Sequence, residues 1–386
     1  MSDFILKEIN KIFKERFGEP GCIVRSPGRI NLMGEHTDYN LGYVLPAAID
    51  KAIFIAIGKR EDELIHLHAG DLHESYQSSI ALLEKSDKQW PNYVLGVADQ
   101  LKKNGYILSG FDAVIMGDVP LGAGLSSSAA VECATIFALN HLFQLGLDRK
   151  KMTLLCQKAE NEFVGLQCGI MDMFASMFGK KDRLIQLDCR SLEYQYIPFE
   201  ANGISIVLFD TGVKHSLAST EYNVRRQECE KAVALIRKKY PHVTSLRDAN
   251  IEMVNNCLAG GDQKIFRRAR YIVQEIDRLE KGCEDLAKGD LAAFGKKMFD
   301  THEGLSQLYE VSCVEADALV SMVSTNPGVI GARMMGGGFG GCTLNLVYNE
   351  ALESTLASVG EAFEKLFSRE LKYYLVKIDE GTSVIG

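Results

Sequence analysis

The chain has no apolar run approaching the roughly 20 residues that a membrane-spanning helix needs, so the sequence predicts no passage through a bilayer. It has no GxxxxGK followed by Ser or Thr, which excludes a P-loop nucleotide site, and no HRD or DFG set, which excludes a protein kinase. Positive charge is not in excess: 43 Lys and Arg stand against 51 Asp and Glu, a net charge of −8 that argues against affinity for nucleic acid. Local basic clusters such as Arg267, Arg268 and Arg270 sit in helical sequence interleaved with apolar positions and read as a solvated helix face. None of the ten cysteines has CxxC spacing, so they read as reduced, mostly buried thiols. Internal repeats, low-complexity tracts and a proline-rich linker are also missing. The N-terminal residues have no apolar core or small-residue cleavage site of a signal peptide; they pattern as an amphipathic helix carrying Phe4, Ile5, Ile9, Ile12 and Phe13. The expected compartment is the cytoplasm.

What is present is the composition of a globular protein, 46% hydrophobic and 24% charged over 386 residues, long enough to predict two domains with a cleft between them. Extended runs are expected at residues 22–25, 52–57, 64–68, 111–116 and 184–187, and helices at 93–103, 128–143 and 153–164, the second opening on a serine cluster suited to N-capping. A fresh strand, ISIVLFD, follows Gly203; charged amphipathic helices fill residues 220–323, and a Gly-rich loop then leads into CTLNLVY. The boundary is expected near residue 200, dividing the chain into 1–200 and 201–386.

Three loops carry the chemistry. In GDVPLGAGLSSSAA, residues 117–130, glycines allow close backbone approach, a helix start offers free N–H groups and serines add donors, which together make a cradle for a polyphosphate. The loop at 331–341 contains GxGxxG at Gly336, Gly338 and Gly341, but a dinucleotide site needs a helix to follow and here a β-rich run does. It reads instead as a loop whose backbone approaches the first loop or the ligands. The third segment, residues 26–46, packs a cation, two carboxylates, an imidazole and amides into what reads as a short irregular stretch, the density of hydrogen-bonding groups that a polyol demands. His66 and His68 share a strand face, but no further ligand supports a metal there.

With these residues in view, the chain resembles the GHMP kinases. Within that superfamily GRINLMGEHTDYNLGYVLP resembles the galactokinase substrate motif, GDVPLGAGLSSSAA the ATP motif and GARMMGGGFGGCTLNLV the third glycine-rich motif, with further matches in AENEFVG, CGIMD and KHSLASTEYNVRRQECE. The resemblance runs from about residue 20 to the end. It implies an α+β, two-domain fold, ribosomal-protein-S5-like at the N-terminus and ferredoxin-like at the C-terminus. It implies transfer of the γ-phosphate of ATP to the C1 hydroxyl of D-galactose, the first committed step of galactose catabolism by the Leloir route, with Mg²⁺ as cofactor and small molecules as the only partners of a monomer.

By the same resemblance Asp172 would accept the proton of the anomeric hydroxyl and Arg29 would stabilise transferring charge. Glu35, His36, Thr37, Asp38, Gly169 and Tyr222 would hold the sugar. Gly122, Ala123, Gly124, Leu125, Ser126, Ser127 and Ser128 would wrap the triphosphate, and Ser128 and Glu160 would hold Mg²⁺. Glu160 also falls on or beside the apolar stripe of its helix, where a buried carboxylate asks for a metal or a basic partner. One residue departs from the family: Met173 stands where galactokinases usually have Gln. Two alternatives stay open, an N-acetylgalactosamine kinase and a catalytically silent sensor of galactose and ATP; the intact serine run favours an enzyme.

Overall fold

The computed structural model describes residues 2–120, 122–199, 202–213 and 218–385. Among these residues the strands form three sheets. The largest runs in the order Ser383–Val384, Cys22–Asn31, Pro46–Lys59, Phe111–Gly117, Leu64–Ala69 and Glu74–Ser79, antiparallel except where Leu64–Ala69 lies parallel to Phe111–Gly117. A second, antiparallel throughout, runs Val329–Met334, Cys342–Tyr348, Ile204–Asp210 and Lys372–Val376. A small third sheet joins Tyr43–Val44, Arg183–Asp188 and Tyr194–Pro198. The fold is α+β.

Side-chain alternation explains how the sheets are clothed. In Pro46–Lys59, Ile55 and Ile57 enter the main core while Phe54 and Ala56 face the other way, and Val24 and Ile23 divide similarly. The second face is covered by the helix Ser2–Phe17 through Ile5, Ile9 and Phe13, one per turn. Phe4, expected on that stripe, flanks it and is 67% exposed; Ile12 is partly buried. The unbroken apolar run ISIVLFD follows from burial on both faces: Ile204, Ile206 and Leu208 join the main core, while Val207 and Phe209 pack beneath the helices Val314–Ser324 and Leu352–Phe367. The main core thereby continues from one large sheet into the other. The boundary expected near residue 200 falls on residues 200–201, outside the described residues, as do residues 214–217 of the motif that begins at 214.

Several sequence expectations are corrected. The segment 26–46 is not irregular throughout: Cys22–Asn31 and Pro46–Lys59 pair as a long antiparallel hairpin, with register shifting between Pro27 and Arg29, so Arg29 is a strand residue. The helix expected at 153–164 starts earlier, at Arg149–Lys158, because Asp148 accepts from the Lys151 N–H, and then widens into a π-turn over Ala159–Val164 that ends at Gly165. Two expectations hold: the glycine loop after Met334 joins two antiparallel strands and opens no helix, and the cysteines are free, with eight of the ten buried.

The basic cluster was misread at its centre. Arg270 is exposed, but Arg268 is 1% exposed on the inner face of Gln263–Lys288, with Nε 3.3 Å from Glu228 Oε2 and its fork reaching Glu310 and the Leu308 carbonyl. Helical periodicity puts 268 on the apolar face and 270 opposite it, and the charge is tolerated there because carboxylates meet it. Arg268→Ala should therefore destabilise the protein by about 3 kcal/mol, the lower end for a broken buried pair, since Arg225 remains 3.7 Å from Glu228. Arg270→Ala should change stability by less than about 0.5 kcal/mol. Denaturant titration of both variants checks the contrast.

Candidate active site

The strand Phe111–Gly117 delivers the chain into the serine loop, and the helix Ser127–Phe143 leaves it. The serine cluster was expected to cap that helix, yet Ser126 takes a left-handed backbone (φ 57°) and makes no capping bond. Its hydroxyl donates instead to Asp172 Oδ2 at 2.5 Å. The first N–H groups of the helix are left to face the cleft. The third glycine loop does approach this one: a side chain at Gly336 would begin 3.2 Å from the Gly124 carbonyl, a tight approach, and the left-handed backbone there (φ 82°) favours glycine.

Arg29 and Asp172 form the centre. The guanidinium grips the carboxylate in a fork, Nε to Oδ1 at 2.7 Å and Nη2 to Oδ2 at 3.0 Å, while Nη1 donates to the Gly124 carbonyl at 2.6 Å. Burial pushes the Arg29 pKa down, but the charges of Asp172, Glu35 and Asp38 more than reverse this and hold it above its ordinary value. Asp172 stands in the first turn of the short helix Met171–Phe178, next to Met173, whose side chain is fully buried in the main core. The departure at Met173 is therefore at a core position.

On one side of the pair lies a small polar recess lined by Arg29, Glu35, His36, Asp38, Cys168, Gly169, Met171, Asp172, Tyr222, Gly336 and Gly337. Glu35 Oε1 meets Arg333 Nη2 at 2.7 Å and accepts from the Gly336 N–H at 2.8 Å. Asp38 accepts from the Tyr39 N–H at 2.9 Å and lies so close to Gly169 that a side chain there would begin 1.9 Å from Oδ2, so only glycine serves at 169. Burial, and then the nearby Asp172 charge, push Asp38 up to about 7. Burial, and then Arg225, push His36 down to about 3, so its ring is neutral. Thr37 does not line the recess: its hydroxyl is 2.8 Å from the Gly34 carbonyl and 2.5 Å from that of Tyr43, which makes it a fastener of the loop.

On the other side a wider cleft is lined by Gly122, Gly124, Leu125, Ser126, Ser127, Ser128 and Glu160, again with Arg29, Asp172, Cys168 and Tyr222. Ala123 is not part of this lining; it is 1% exposed and packs against Gly341. The π-turn brings Glu160 beside Ser128, and the Cys168 thiol donates to Glu160 Oε2 at 3.1 Å. Burial pushes Glu160 up to about 7. No basic side chain pairs with it among the described residues, so its anionic form suits a hard cation together with the Ser128 hydroxyl. Among the described residues no group of three or more His, Cys, Asp and Glu could hold a metal, so such a cation would draw its other ligands from water and phosphate. His66 and His68 are occupied otherwise, by Asp112 at 3.0 Å and Ser75 at 3.0 Å.

Sequence reasoning missed Arg333, which is fully buried and also donates to the Asn31 carbonyl at 3.0 Å. A lone Arg in the buried run VIGARM was the available signal. It also missed Tyr309, which lies behind His36, and Glu132, whose two oxygens are buried without hydrogen-bond partners.

Three family matches tile much of the chain: the galactokinase galactose-binding signature at residues 11–59, the GHMP kinase N-terminal domain at 92–180 and the GHMP kinase C-terminal domain at 283–365. A galactokinase of Roseiflexus sp. (strain RS-1) is 39% identical, over 97% of this chain and 96% of that protein. One from Thermotoga petrophila is 40% identical, over 94% and 99%. The crystal structure of Lactococcus lactis galactokinase complexed with galactose superposes with a TM-score of 0.94 at 34% identity, covering 99% of this chain and 100% of that one. Methanococcus jannaschii mevalonate kinase, at 20% identity and a TM-score of 0.65, shares the fold.

The raised pKa of Asp38 has a measurable sign. The folded protein holds this proton to about pH 7, whereas the unfolded chain releases it near pH 4, so the group's favourable contribution is fully present below about pH 4 and lost as pH rises through about 7. Asp38→Asn should flatten the fall of the ligand-free thermal midpoint between pH 5 and pH 8. A gap between parent and variant that stays constant over this range would contradict the assignment.

Proposed function

The chain belongs to the galactokinase family of GHMP kinases, and from this membership we infer that it transfers the γ-phosphate of ATP to the C1 hydroxyl of D-galactose, yielding galactose 1-phosphate and ADP. The observation that carries the reading is the meeting of two cavities at one ion pair: the polar recess and the serine-loop cleft share Arg29 and Asp172. An acceptor in the recess and a phosphate in the cleft would face each other there.

Phosphoryl transfer asks for alignment, charge neutralisation and a path for one proton. Asp172 would take that proton from the sugar's O1, with the Ser126 hydroxyl yielding its place on Oδ2 to the incoming hydroxyl. Arg29, held between Asp172 and the Gly124 carbonyl, would steady the negative charge in transit. The backbone N–H groups and hydroxyls of residues 122–128 would wrap the triphosphate. Glu35, His36 and Asp38, with the Gly169 backbone and Tyr222, would hold the sugar, and Thr37 would support them by fixing the loop. Mg²⁺, held by Ser128 and Glu160, would neutralise the phosphates. The division at residue 200, the cytoplasmic location, the monomeric state and a partner set limited to small molecules belong to the same reading; no helix among the described residues is long and apolar enough to cross a membrane.

ADP release measured with galactose, N-acetylgalactosamine, glucose and arabinose tests the substrate, galactose being expected to give the highest kcat/KM; no turnover of any sugar would favour a sensor. Asp172→Asn keeps shape but removes basicity, so kcat should fall by at least about 10²-fold while ATP affinity changes little. Glu160→Gln should lose activity that added Mg²⁺ partly restores. Equal metal rescue of the two variants would overturn these roles.

A further inference from the structure

Behind the recess runs a chain of side chains to which the proposed reaction assigns no part. His36 Nδ1 is 2.8 Å from the Tyr39 hydroxyl, which is 2.7 Å from the Tyr309 hydroxyl, which is 3.2 Å from Cys229 Sγ. Asn40 closes the chain: its amide nitrogen donates to the His36 carbonyl at 2.9 Å and to Cys229 Sγ at 3.6 Å. His36, Asn40, Cys229 and Tyr309 are buried. His36 holds a left-handed backbone (φ 63°) and lines the recess together with Gly337; its Nε2 is buried and has no hydrogen-bond partner among the described residues.

The direction of this chain is decided by counting hydrogens. Donation to the His36 carbonyl fixes the Asn40 amide, so its second N–H faces the sulfur. If the thiol then donates to Tyr309, Tyr309 to Tyr39 and Tyr39 to Nδ1, every hydrogen from the thiol to the ring is used, and His36 carries its proton on Nε2, on the side of the ring away from the chain. The opposite direction strands the thiol hydrogen in the interior, where Asn40 offers the sulfur only a donor. Buried networks favour the arrangement that keeps their internal donors paired.

We propose that Tyr309, acting through Tyr39, is a positioning residue that fixes His36 as the Nε2–H tautomer, so that the ring offers the sugar a donor. The recess is otherwise rich in acceptors, with Glu35, Asp38 and Asp172 in its wall. A hydroxyl group can accept from His36 while donating to a carboxylate; a group able to do only one of these leaves a buried partner unmet. The proposal rests on the recess being the sugar site, but its test does not.

Histidine-selective ¹⁵N NMR of the sugar-free enzyme, with His36 assigned by His36→Gln among the eight histidines, reads the tautomer directly. The parent should show a pyridine-type Nδ1 and a pyrrole-type Nε2. Tyr39→Phe and Tyr309→Phe should move both signals towards tautomer averaging, whereas Cys229→Ser, which keeps a donor at the end of the chain, should leave them in place. For Tyr309→Phe the galactose KM should rise about 2- to 10-fold with kcat within about twofold. A pyrrole-type Nδ1 in the parent overturns the proposal, whatever the variants do. So do unaltered shifts in both Phe variants. Absence of galactose turnover by the parent would sink the sugar reading and leave the tautomer result standing.

Discussion

A guanidinium taken out of water organises this site. Arg29 is 3% exposed, and an unpaired charge so placed is penalised by several kcal/mol, so a carboxylate must come to it. Asp172 does, in a two-bond fork, and that requirement ties the strand Cys22–Asn31 to the helix Met171–Phe178 across 143 residues of sequence. The third nitrogen draws in the Gly124 carbonyl and the carboxylate draws in Ser126, which explains why that serine leaves its capping role and accepts a left-handed backbone. The shape of the phosphate loop is thus partly a consequence of the pair.

Around the pair, buried carboxyl groups accumulate beyond what the fold's cations compensate, and burial resists their ionisation. Glu35 has Arg333, but Asp38 relies on backbone N–H groups, Glu160 on a thiol and the Ser128 hydroxyl, and Glu132 has no hydrogen-bond partner among the described residues. Such carboxylates lower stability when ionised, and folded proteins tolerate them where a ligand completes them. Under the proposed function, a sugar hydroxyl would complete Asp38 and a hard cation Glu160. The large shared core, continuous between the two main sheets, supplies the apolar burial that offsets this arrangement.

What could be read from the chain alone was whatever local chemistry dictates. Spacing in GDVPLGAGLSSSAA pointed to a loop open to a cleft, and the polar density around EHTD to a polar recess, and both line cavities that meet at Arg29 and Asp172. The centres of seven strands and most helices were legible from periodicity, whereas strands such as Glu74–Ser79, Val329–Met334 and Lys372–Val376 were not, and neither were the ends: Cys22–Asn31 continues through Pro27 and Gly28 because a partner strand pairs with it. The extra residue in the turn at Ala159–Val164, which sets Glu160 beside Ser128, has no local signature either.

Sequence by itself determined the family and named most of the residues that line the two cavities. Tertiary structure alone decided which of those residues face a cavity and which brace the others. Thr37 sits among recess residues yet spends its hydroxyl on the loop, while Arg333 and Tyr309, about 300 and 270 positions away from the loop they support, reach Glu35 and Tyr39. The reason is physical: a residue type records what a side chain can donate, accept or bury, whereas its partner is set by packing between segments far apart in the chain, and a buried polar group takes its role from that partner.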